Sequence, residues 1–319
     1  MLLFTLNIDM SNIIEWNVGL DGYKKCTLEI NEGEGPHKFT TELLDVPFDS
    51  TRSIIEIFND HLSVRQTKYV EVLYSGGLDS ELVLLSCLKN NIPVIAMTLV
   101  IRINGIIINT HDLYYAEKFC RTNGITHKLI ELDATKFYEN GDHYNYLKPY
   151  YIIQPHIATH FWLIEQCSYF PIIGGDWPWV QDHNPENNVI SPFRLHHASY
   201  ERFMWDKGIN GIGNMISYSL GSSYHLIKIS MDKKVPGDSL SDFKARMYQT
   251  IFPELEPRTT SWGWENNLFP EIINTSKFNI MPYHRDLEEK LKMTTHHIKW
   301  NNTIKSLINT TLNEIDKFI

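Results

Sequence analysis

Short apolar runs alternate with amphipathic stretches of helical length between residues 67 and 190. VEVLY (70–74) precedes a helical pattern at about 80–90, and the nearly continuous apolar run PVIAMTLVI (93–101) is typical of a strand buried on both faces. Two more strands are predicted within 122–132 and at 170–175, with helices near 111–121 and 152–167. Because strands that alternate with helices form βαβ units, the sequence predicts an α/β fold with a doubly wound, mostly parallel sheet.

The two flanks of this α/β region follow other patterns. Residues 1–66 contain short, partly alternating segments, such as 26–30 and 37–44, between glycine-rich turns, which predicts a small β-rich N-terminal region. Residues 191–319 are predicted to be mostly helical and to complete a substrate pocket, with helical segments expected near 198–207, 239–251 and 285–316. The predicted domain boundaries therefore follow residues 66 and 190.

Composition narrows the possible functions without identifying one. The 319 residues carry a formal net charge of −9, with a pI near 5.9, which argues against broad, non-specific binding of nucleic acid but not against a local basic groove. The four cysteines are far apart and form no CxxC, so neither a zinc site nor a disulfide framework is expected. No apolar run reaches about 18 residues and the N-terminus lacks a basic signal region, so we expect a cytoplasmic protein with no membrane partner.

The loop SGGLDS (75–80) carries the clearest chemical signal. It follows the first predicted strand of the parallel sheet and opens a helix, which is where ligands bind in such sheets. Gly76 and Gly77 let the backbone turn tightly and approach a ligand, while the helix N-terminus adds N–H donors and a partial positive charge for an anion. Ser75 and Ser80 offer hydroxyl donors. No lysine is present, so the loop is not a GxxxxGK[ST] phosphate loop.

In its strand–loop–helix setting, this loop resembles the PP-loop of the ATP pyrophosphatase family, an adenine nucleotide alpha hydrolase-like group with a Rossmann-like fold. Members include asparagine synthetase, GMP synthetase, NAD synthetase and several tRNA-modifying enzymes, and the pattern here is most similar to the C-terminal domain of asparagine synthetase. The resemblance implies cleavage of ATP between the α- and β-phosphates, with Mg²⁺ present and with pyrophosphate held by the loop. The matching positions are Ser75, Gly76, Gly77, Leu78, Asp79 and Ser80, and the backbone of Thr98 and Leu99 in the second strand is expected to contact the adenine.

A second segment matches the family after the fourth predicted strand. IIGGDWPW (172–179) offers Gly175 as a nucleotide contact and Asp176 as a metal ligand. The resemblance implies that Asp176 and Asp79 are catalytic residues that hold Mg²⁺, because a carboxylate beside a polyphosphate needs a cation between them. The glutamate that follows this aspartate in the family is replaced by Trp177.

A weaker match lies near the C-terminus, in FKARMYQTIFPELEPRTTSWGW (243–264). It resembles the asparagine synthetase tail, which brings a lysine to the phosphates. Arg258 aligns with the arginine of that tail and is a further catalytic candidate, but Thr260 stands where the lysine would be. Two candidates for the missing positive charge are therefore left open, Arg258 and Lys244.

These resemblances imply an AMP-forming ligase in which ATP adenylylates a small-molecule acceptor, expected to be a carboxylate, and an amine then displaces AMP to form a C–N bond. No N-terminal glutaminase is expected, because Leu2 rather than a cysteine follows Met1 and residues 1–66 are too few for that domain. Nitrogen would come from ammonia, an amine substrate or a partner amidotransferase subunit, and a homodimer is also open. Two alternatives remain: a PP-loop enzyme that modifies a nucleobase of tRNA or DNA, and a nucleotide-binding protein without catalysis.

Overall fold

The computed structural model describes the α/β region almost completely and parts of the regions on either side. It describes residues 52–63, 65–150, 152, 154–175, 200, 203–216, 222, 225–226, 229, 240–258 and 281–291, and the backbone alone of the strands at 8–9, 13–16, 23–32, 35–43, 179–181 and 188–190. In chain order the elements are β1 (Ile8–Asp9), β2 (Ile13–Trp16), β3 (Tyr23–Glu32), β4 (Gly35–Leu43), α1 (Ile54–Leu62), β5 (Val70–Leu73), α2 (Leu78–Lys89), β6 (Val94–Ile103), β7 (Ile106–Ile107), α3 (Thr110–Asn123), β8 (Thr126–Asp133), α4 (Ala134–Glu139), α5 (Asp142–Leu147), α6 (Ile157–Glu165), β9 (Phe170–Ile173), β10 (Trp179–Gln181), β11 (Asn188–Ile190), α7 (Leu240–Tyr248) and α8 (Met281–Leu291).

The N-terminal strands form a four-stranded sheet in the order β1–β2–β4–β3. β3 and β4 pair in antiparallel fashion, whereas β2 runs parallel to β4. Further along the chain, β10 and β11 form a separate antiparallel pair. The four N-terminal strands agree with the β-rich character predicted for residues 1–66, and the domain boundaries stay a prediction.

The main sheet consists of four parallel strands in the order β8–β6–β5–β9, with the short β7 antiparallel to the end of β6. Numbered by their order along the chain, these parallel strands lie as 3-2-1-4. The segment around Ile212 extends the sheet beyond β9 through a parallel bridge to Ile172. This strand order is that of a doubly wound, Rossmann-like sheet. The structure therefore confirms the predicted α/β fold class.

Each face of the main sheet carries its own hydrophobic core, because successive strand residues point to opposite faces. Val70, Val72 and Ala96 pack with buried residues of α1, α2, α3 and α7 on one face. Leu73 and Met97 pack with residues of α4, α5, α6 and α8 on the other. Helices thus cover both faces of the sheet, and the loops lie where the strands begin and end.

Local sequence explains where several helices begin and end. Ser53 caps α1 through a capping box, in which its hydroxyl accepts from the Glu56 N–H and the Glu56 carboxylate accepts from the Ser53 N–H. α3 ends at Gly124, whose φ of 64° places it in the left-handed region that favours glycine at helix ends. α2 buries apolar residues around most of its circumference, as expected for a helix enclosed between the sheet and other helices.

β6 follows the predicted burial, whereas the connection before β9 does not follow the prediction. β6 is buried along almost its whole length, whereas β8 is a largely exposed edge strand. α4, α5 and a 3₁₀ turn at Lys148–Tyr150 occupy a stretch in which hydrophobic periodicity predicts no element, and α6 begins only at Ile157. Within the described residues, every helix is too short or too polar to cross a membrane.

Candidate functional site

Two loops meet at the carboxyl edge of the main sheet. β5 and β9 are neighbours, but α2 follows β5 on one face while the helices that lead into β9 lie on the other. In doubly wound sheets such a reversal opens a crevice in which ligands bind. The loops that follow these strands are in contact, since a Cβ on Gly174 would lie 3.0 Å from both the backbone N and the Oγ of Ser80. The candidate site is therefore the SGGLDS loop together with residues 174–175.

The backbone of the SGGLDS loop forms a turn whose geometry suits an anion. Gly76 has a φ of 78°, and a Cβ at this position would lie 2.6 Å from the Asp112 carbonyl oxygen, so only glycine fits here. Gly77 is the N-cap of α2, and the first helical hydrogen bond runs from the Glu81 N–H to the Gly77 carbonyl at 3.2 Å. The N–H groups between these residues thus have no acceptor within the helix. They are available, with the helix dipole, to bind an anion such as a phosphate.

The two serines of the loop differ in their hydrogen bonding. Ser75 is exposed. Ser80 donates its hydroxyl proton to the Leu73 carbonyl at 3.0 Å, which closes the loop onto the end of β5. A hydroxyl group has one proton, so Ser80 braces the loop and cannot at the same time donate to a phosphate. Of the two hydroxyl donors expected from the sequence, that of Ser75 is exposed and that of Ser80 is engaged within the loop.

α7 brings two side chains to Asp79, at the start of α2. The Lys244 ammonium lies 2.6 Å from Asp79 Oδ2, and the Tyr248 hydroxyl donates to Asp79 Oδ1. All three groups are partly or fully buried, with 12% of the Lys244 side chain and 18% of the Asp79 side chain exposed. Lys244 is one of the two cations that the sequence suggested. Tyr248 was missed, although its position one turn after Lys244 on a helix could have placed both on one face.

Arg258, the other suggested cation, lies beneath the loop. Its Nε donates to the Gly76 carbonyl at 2.9 Å and one terminal nitrogen donates to the Glu256 carbonyl at 2.6 Å. The other terminal nitrogen forms an ion pair with the buried carboxylate of Glu81. The guanidinium also stacks over the Tyr115 ring, with 4.3 Å between Cζ and the ring centroid. Arg258 therefore contacts the backbone of the loop, whereas Lys244 contacts the carboxylate of Asp79.

The predicted adenine contacts, Thr98 and Leu99, lie in β6 next to the loop. The buried Thr98 hydroxyl donates to the Tyr74 carbonyl at 2.7 Å, so the His127 ring, 2.8 Å away, must donate its Nε2–H to Thr98. The Leu99 carbonyl accepts from Asn109 Nδ2 at 2.8 Å, and Asn109 Oδ1 accepts from the N–H two residues further along β6. Asn109 was not singled out from the sequence, and its amide borders the strand edge at which adenine is expected.

The loop after β9 carries the second predicted cluster. Gly175 has a φ of 93°, and a Cβ there would lie 1.8 Å from Asn214 Oδ1, so Asn214 is a further polar group at this edge that the sequence pattern did not reveal. Asp176 and Thr260 lie outside the described residues, and their roles stay predictions. Within the residues that the structure describes, no three His, Cys, Asp or Glu side chains group together as a metal site.

Comparison with known proteins finds solved structures to which the chain is similar. No family model and no curated protein matches the chain. Among solved structures, the chain is similar to a predicted subunit of tRNA methyltransferase from Methanocaldococcus jannaschii (18% identity, 61% of this chain and 94% of that one, TM-score 0.31). It is also similar to the U34-tRNA thiolase NcsA from Methanococcus maripaludis (15%, 76% and 79%, TM-score 0.32) and to the NH₃-dependent NAD synthetase from Campylobacter jejuni (14%, 65% and 96%, TM-score 0.28). Identities and TM-scores this low say nothing about substrate or reaction.

Proposed function

We propose that this chain is a PP-loop ATP pyrophosphatase that adenylylates a small-molecule carboxylate and then forms a C–N bond. In the first step a carboxylate oxygen attacks the α-phosphorus of ATP, the bond from that phosphorus to the α–β bridging oxygen breaks, and pyrophosphate leaves. In the second step an amine nitrogen attacks the acyl carbon, loses a proton and displaces AMP. The observation that carries the proposal is the placement of Lys244 on Asp79, beside an anion-binding loop that has no lysine of its own.

Lys244 supplies the positive charge that the loop lacks. Its ammonium is held 2.6 Å from the carboxylate of Asp79, at the N-terminus of α2 where the loop would bind phosphates. A phosphate group bound there offers Lys244 a second anionic partner, and charge-assisted hydrogen bonds of this kind are among the strongest in proteins. We therefore assign to Lys244 the stabilisation of the departing pyrophosphate, an electrostatic role that typically contributes about 100- to 1,000-fold in rate.

Asp79 fits a magnesium ion shared with phosphates. Mg²⁺ in such sites binds one or two carboxylates together with phosphate oxygens, and Asp79 is a partly exposed carboxylate beside the phosphate-binding turn. Asp79, with Asp176, would hold the ion, which would neutralise charge on the polyphosphate. Tyr248 would keep the Asp79 carboxylate in its orientation through the hydrogen bond to Oδ1.

The other residues of the site position the reactants. Gly76 and Gly77 present backbone N–H groups, Ser80 closes the loop onto β5, and the buried Thr98 hydroxyl holds the Tyr74 carbonyl that leads into the loop. Holding the reactants in a fixed arrangement lowers the entropic part of the barrier and needs no acid or base in the loop. The acceptor and the amine would enter from the crevice between β5 and β9.

The proposal is tested by pyrophosphate release from ATP and Mg²⁺ in the presence of a metabolite extract and hydroxylamine. An acyl-adenylate reacts with hydroxylamine to give a hydroxamate, so mass spectrometry would identify the carboxylate whichever amine the enzyme uses. We expect Lys244→Met and Asp79→Asn to lower pyrophosphate release about 100-fold or more. Lys136→Met is the matched control, because the Lys136 side chain is 79% exposed and pairs with Asp133.

Three outcomes separate the candidate functions. Hydroxamate formation that depends on ATP and is lost in Lys244→Met supports the proposal. Pyrophosphate release only with added RNA or DNA, with no hydroxamate, would replace it by nucleobase modification. ATP binding without pyrophosphate release under any of these conditions would leave a nucleotide-binding protein and overturn the enzymatic proposal.

A further inference from the structure

The SGGLDS loop contains a peptide unit that needs an external support. Gly76 and Gly77 flank the same peptide bond, and neither has a side chain that restricts its φ and ψ angles. A peptide between two glycines can rotate as a unit more readily than others, and such a rotation would exchange the directions of its C=O and N–H groups. The anion-binding property of the loop depends on which of these groups faces the ligand.

Arg258 supplies that support from the buried side. Its Nε–H donates to the Gly76 carbonyl at 2.9 Å, and the residue is 9% exposed. The C=O of Gly76 and the N–H of Gly77 belong to one planar trans peptide and point in opposite directions. Since the carbonyl is held toward the guanidinium, the Gly77 N–H is directed away from it, and Gly77 itself is partly exposed.

Glu81, Tyr115 and the Glu256 carbonyl, which accepts from one terminal nitrogen at 2.6 Å, hold the guanidinium in place. Glu81, from the first turn of α2, forms the ion pair with one terminal nitrogen and accepts a hydrogen bond from the Tyr74 hydroxyl on the same carboxylate oxygen at 2.5 Å. The Tyr115 ring of α3 lies against the guanidinium plane. The planar fork of an arginine can serve a carbonyl and a carboxylate at once, which an ammonium cannot do with the same geometry.

Resting on the proposed function, we propose that Arg258 is a positioning residue that fixes the 76–77 peptide so that the Gly77 N–H donates to the pyrophosphate portion of ATP, and that Glu81 holds Arg258 in place. Arg258 acts through the loop and does not contact the phosphates. A residue of the C-terminal region, 182 positions beyond Gly76, thereby controls the anion-binding state of the loop.

The Gly77 N–H can be observed directly. The chain contains Gly-Gly only at 76–77 and 174–175, so protein labelled with [1-¹³C, ¹⁵N]glycine gives two peaks in a spectrum that correlates an amide with the preceding carbonyl. The peak that Gly76→Ala removes belongs to Gly77. In the wild type we expect inorganic pyrophosphate to move that peak downfield, as a new hydrogen bond to an anion does.

Two variants and a control carry the test, with pyrophosphate affinity measured by calorimetry beside the spectra. We expect Arg258→Lys to bind pyrophosphate about tenfold more weakly and to lose the downfield shift of Gly77. Glu81→Gln keeps the guanidinium but weakens its anchor, so we expect a loss of about threefold. Lys118→Met removes the exposed ion pair between Lys118 and Glu256, which ties the same segment to α3, and we expect it to bind as the wild type does.

The outcomes distinguish this inference from the function on which it rests. A wild-type protein that binds neither pyrophosphate nor ATP contradicts the proposed function. A wild type that binds, together with a folded Arg258→Lys that binds equally well and retains the Gly77 shift, contradicts only the positioning role. If Arg258→Lys does not fold, Glu81→Gln decides, and wild-type affinity in that variant overturns the inference.

Discussion

Two glutamates are buried in the unit formed by β5, the SGGLDS loop and α2, and their hydrogen bonding differs. Glu71 lies in β5 at the end away from the candidate site and is fully buried. Its Oε1 accepts from the Lys128 ammonium at 2.8 Å, and its Oε2 accepts from the backbone N–H groups of Ser168 and Tyr169 at 2.6 and 2.7 Å. Both oxygens of Glu71 are thus engaged, and they fix the turn that leads into β9.

Glu81, beneath the SGGLDS loop, is 1% exposed and receives both of its donors on one oxygen. Tyr74 and Arg258 donate to Oε1, and Oε2 has no partner among the described residues. Burial raises the pKa of Glu81 to about 7, against the lowering effect of Arg258 and Tyr74. Both oxygens of Glu71, which only supports the fold, have hydrogen-bond partners. Glu81, beside the loop that would bind a ligand, keeps one buried oxygen without a partner among the described residues, as functional sites often do.

The largest effect should follow from a side chain at Gly76. We expect Gly76→Ala to lower ATP-dependent pyrophosphate release by about 100-fold or more, because it combines a strained left-handed φ with a Cβ 2.6 Å from the Asp112 carbonyl oxygen. Gly105→Ala is the control, since Gly105 has nearly the same φ, 79°, and no atom within 4 Å of the added carbon. That control should lose about 1 kcal/mol of stability and no activity. Equal effects in the two variants would show that the close approach at Gly76 is irrelevant.

Removal of the Glu71 carboxylate should destabilise the fold without affecting ligand binding at the candidate site. Glu71→Ala leaves two backbone N–H groups and a lysine without their acceptor, and we expect a loss of about 3 kcal/mol in the free energy of unfolding. Denaturant titration measures it. Glu131→Ala, which breaks an exposed pair with Arg102, should lose at most about 0.5 kcal/mol. A weaker affinity for ATP in folded Glu71→Ala would contradict the inference that Glu71 supports the fold alone.

A pH dependence should arise in α1, outside both carboxylate clusters. Burial lowers the pKa of His61 to about 3, with a smaller contribution from Arg52. The unfolded chain takes up a proton at His61 near pH 6.5 and the folded chain does not, so the stability that depends on neutral His61 is complete above pH 6.5 and falls as the pH drops toward 3. At pH 5 this His61 contribution should be a loss of about 2 kcal/mol relative to pH 7, read as the difference between the wild type and His61→Leu, because the raised pKa of Glu81 changes stability in the opposite direction over the same range. His61→Leu should remove that part of the dependence in unfolding curves, and an unchanged dependence would assign it elsewhere.

The smallest effects should come from removing one donor from each carboxylate. Tyr74→Phe leaves Glu81 with Arg258, and Lys128→Met leaves Glu71 with two backbone N–H groups. Each should cost about 1 kcal/mol of stability. Only Tyr74→Phe should also weaken pyrophosphate binding, by less than about tenfold, because Glu81 acts on the loop through Arg258. If Lys128→Met weakened pyrophosphate binding and Tyr74→Phe did not, Glu71 rather than Glu81 would be the glutamate that acts on the loop.

The strands and helices of the α/β region were predictable because their signals are local. A continuous apolar run marked β6, and the glycines of SGGLDS marked a turn between a strand and a helix. The connection at 134–150 was not predictable, since its helices are only six residues long and too short to show a period. That the loop binds an anion stays a prediction, and the Ser80 hydroxyl, expected from the sequence to be a donor to the ligand, donates instead to the Leu73 carbonyl and closes the loop.

By itself, the sequence determined the fold class and the place of the glycine-rich turn between β5 and α2, because hydrophobic periodicity and glycine conformation act over a few neighbouring residues. It left open which cation serves the loop. The tertiary structure decided that Lys244 meets Asp79 while Arg258 meets the Gly76 carbonyl and Glu81. These contacts join residues 165 to 182 positions apart. Pairings at such separation depend on how α7 and the segment after it pack against α2, which no local pattern encodes.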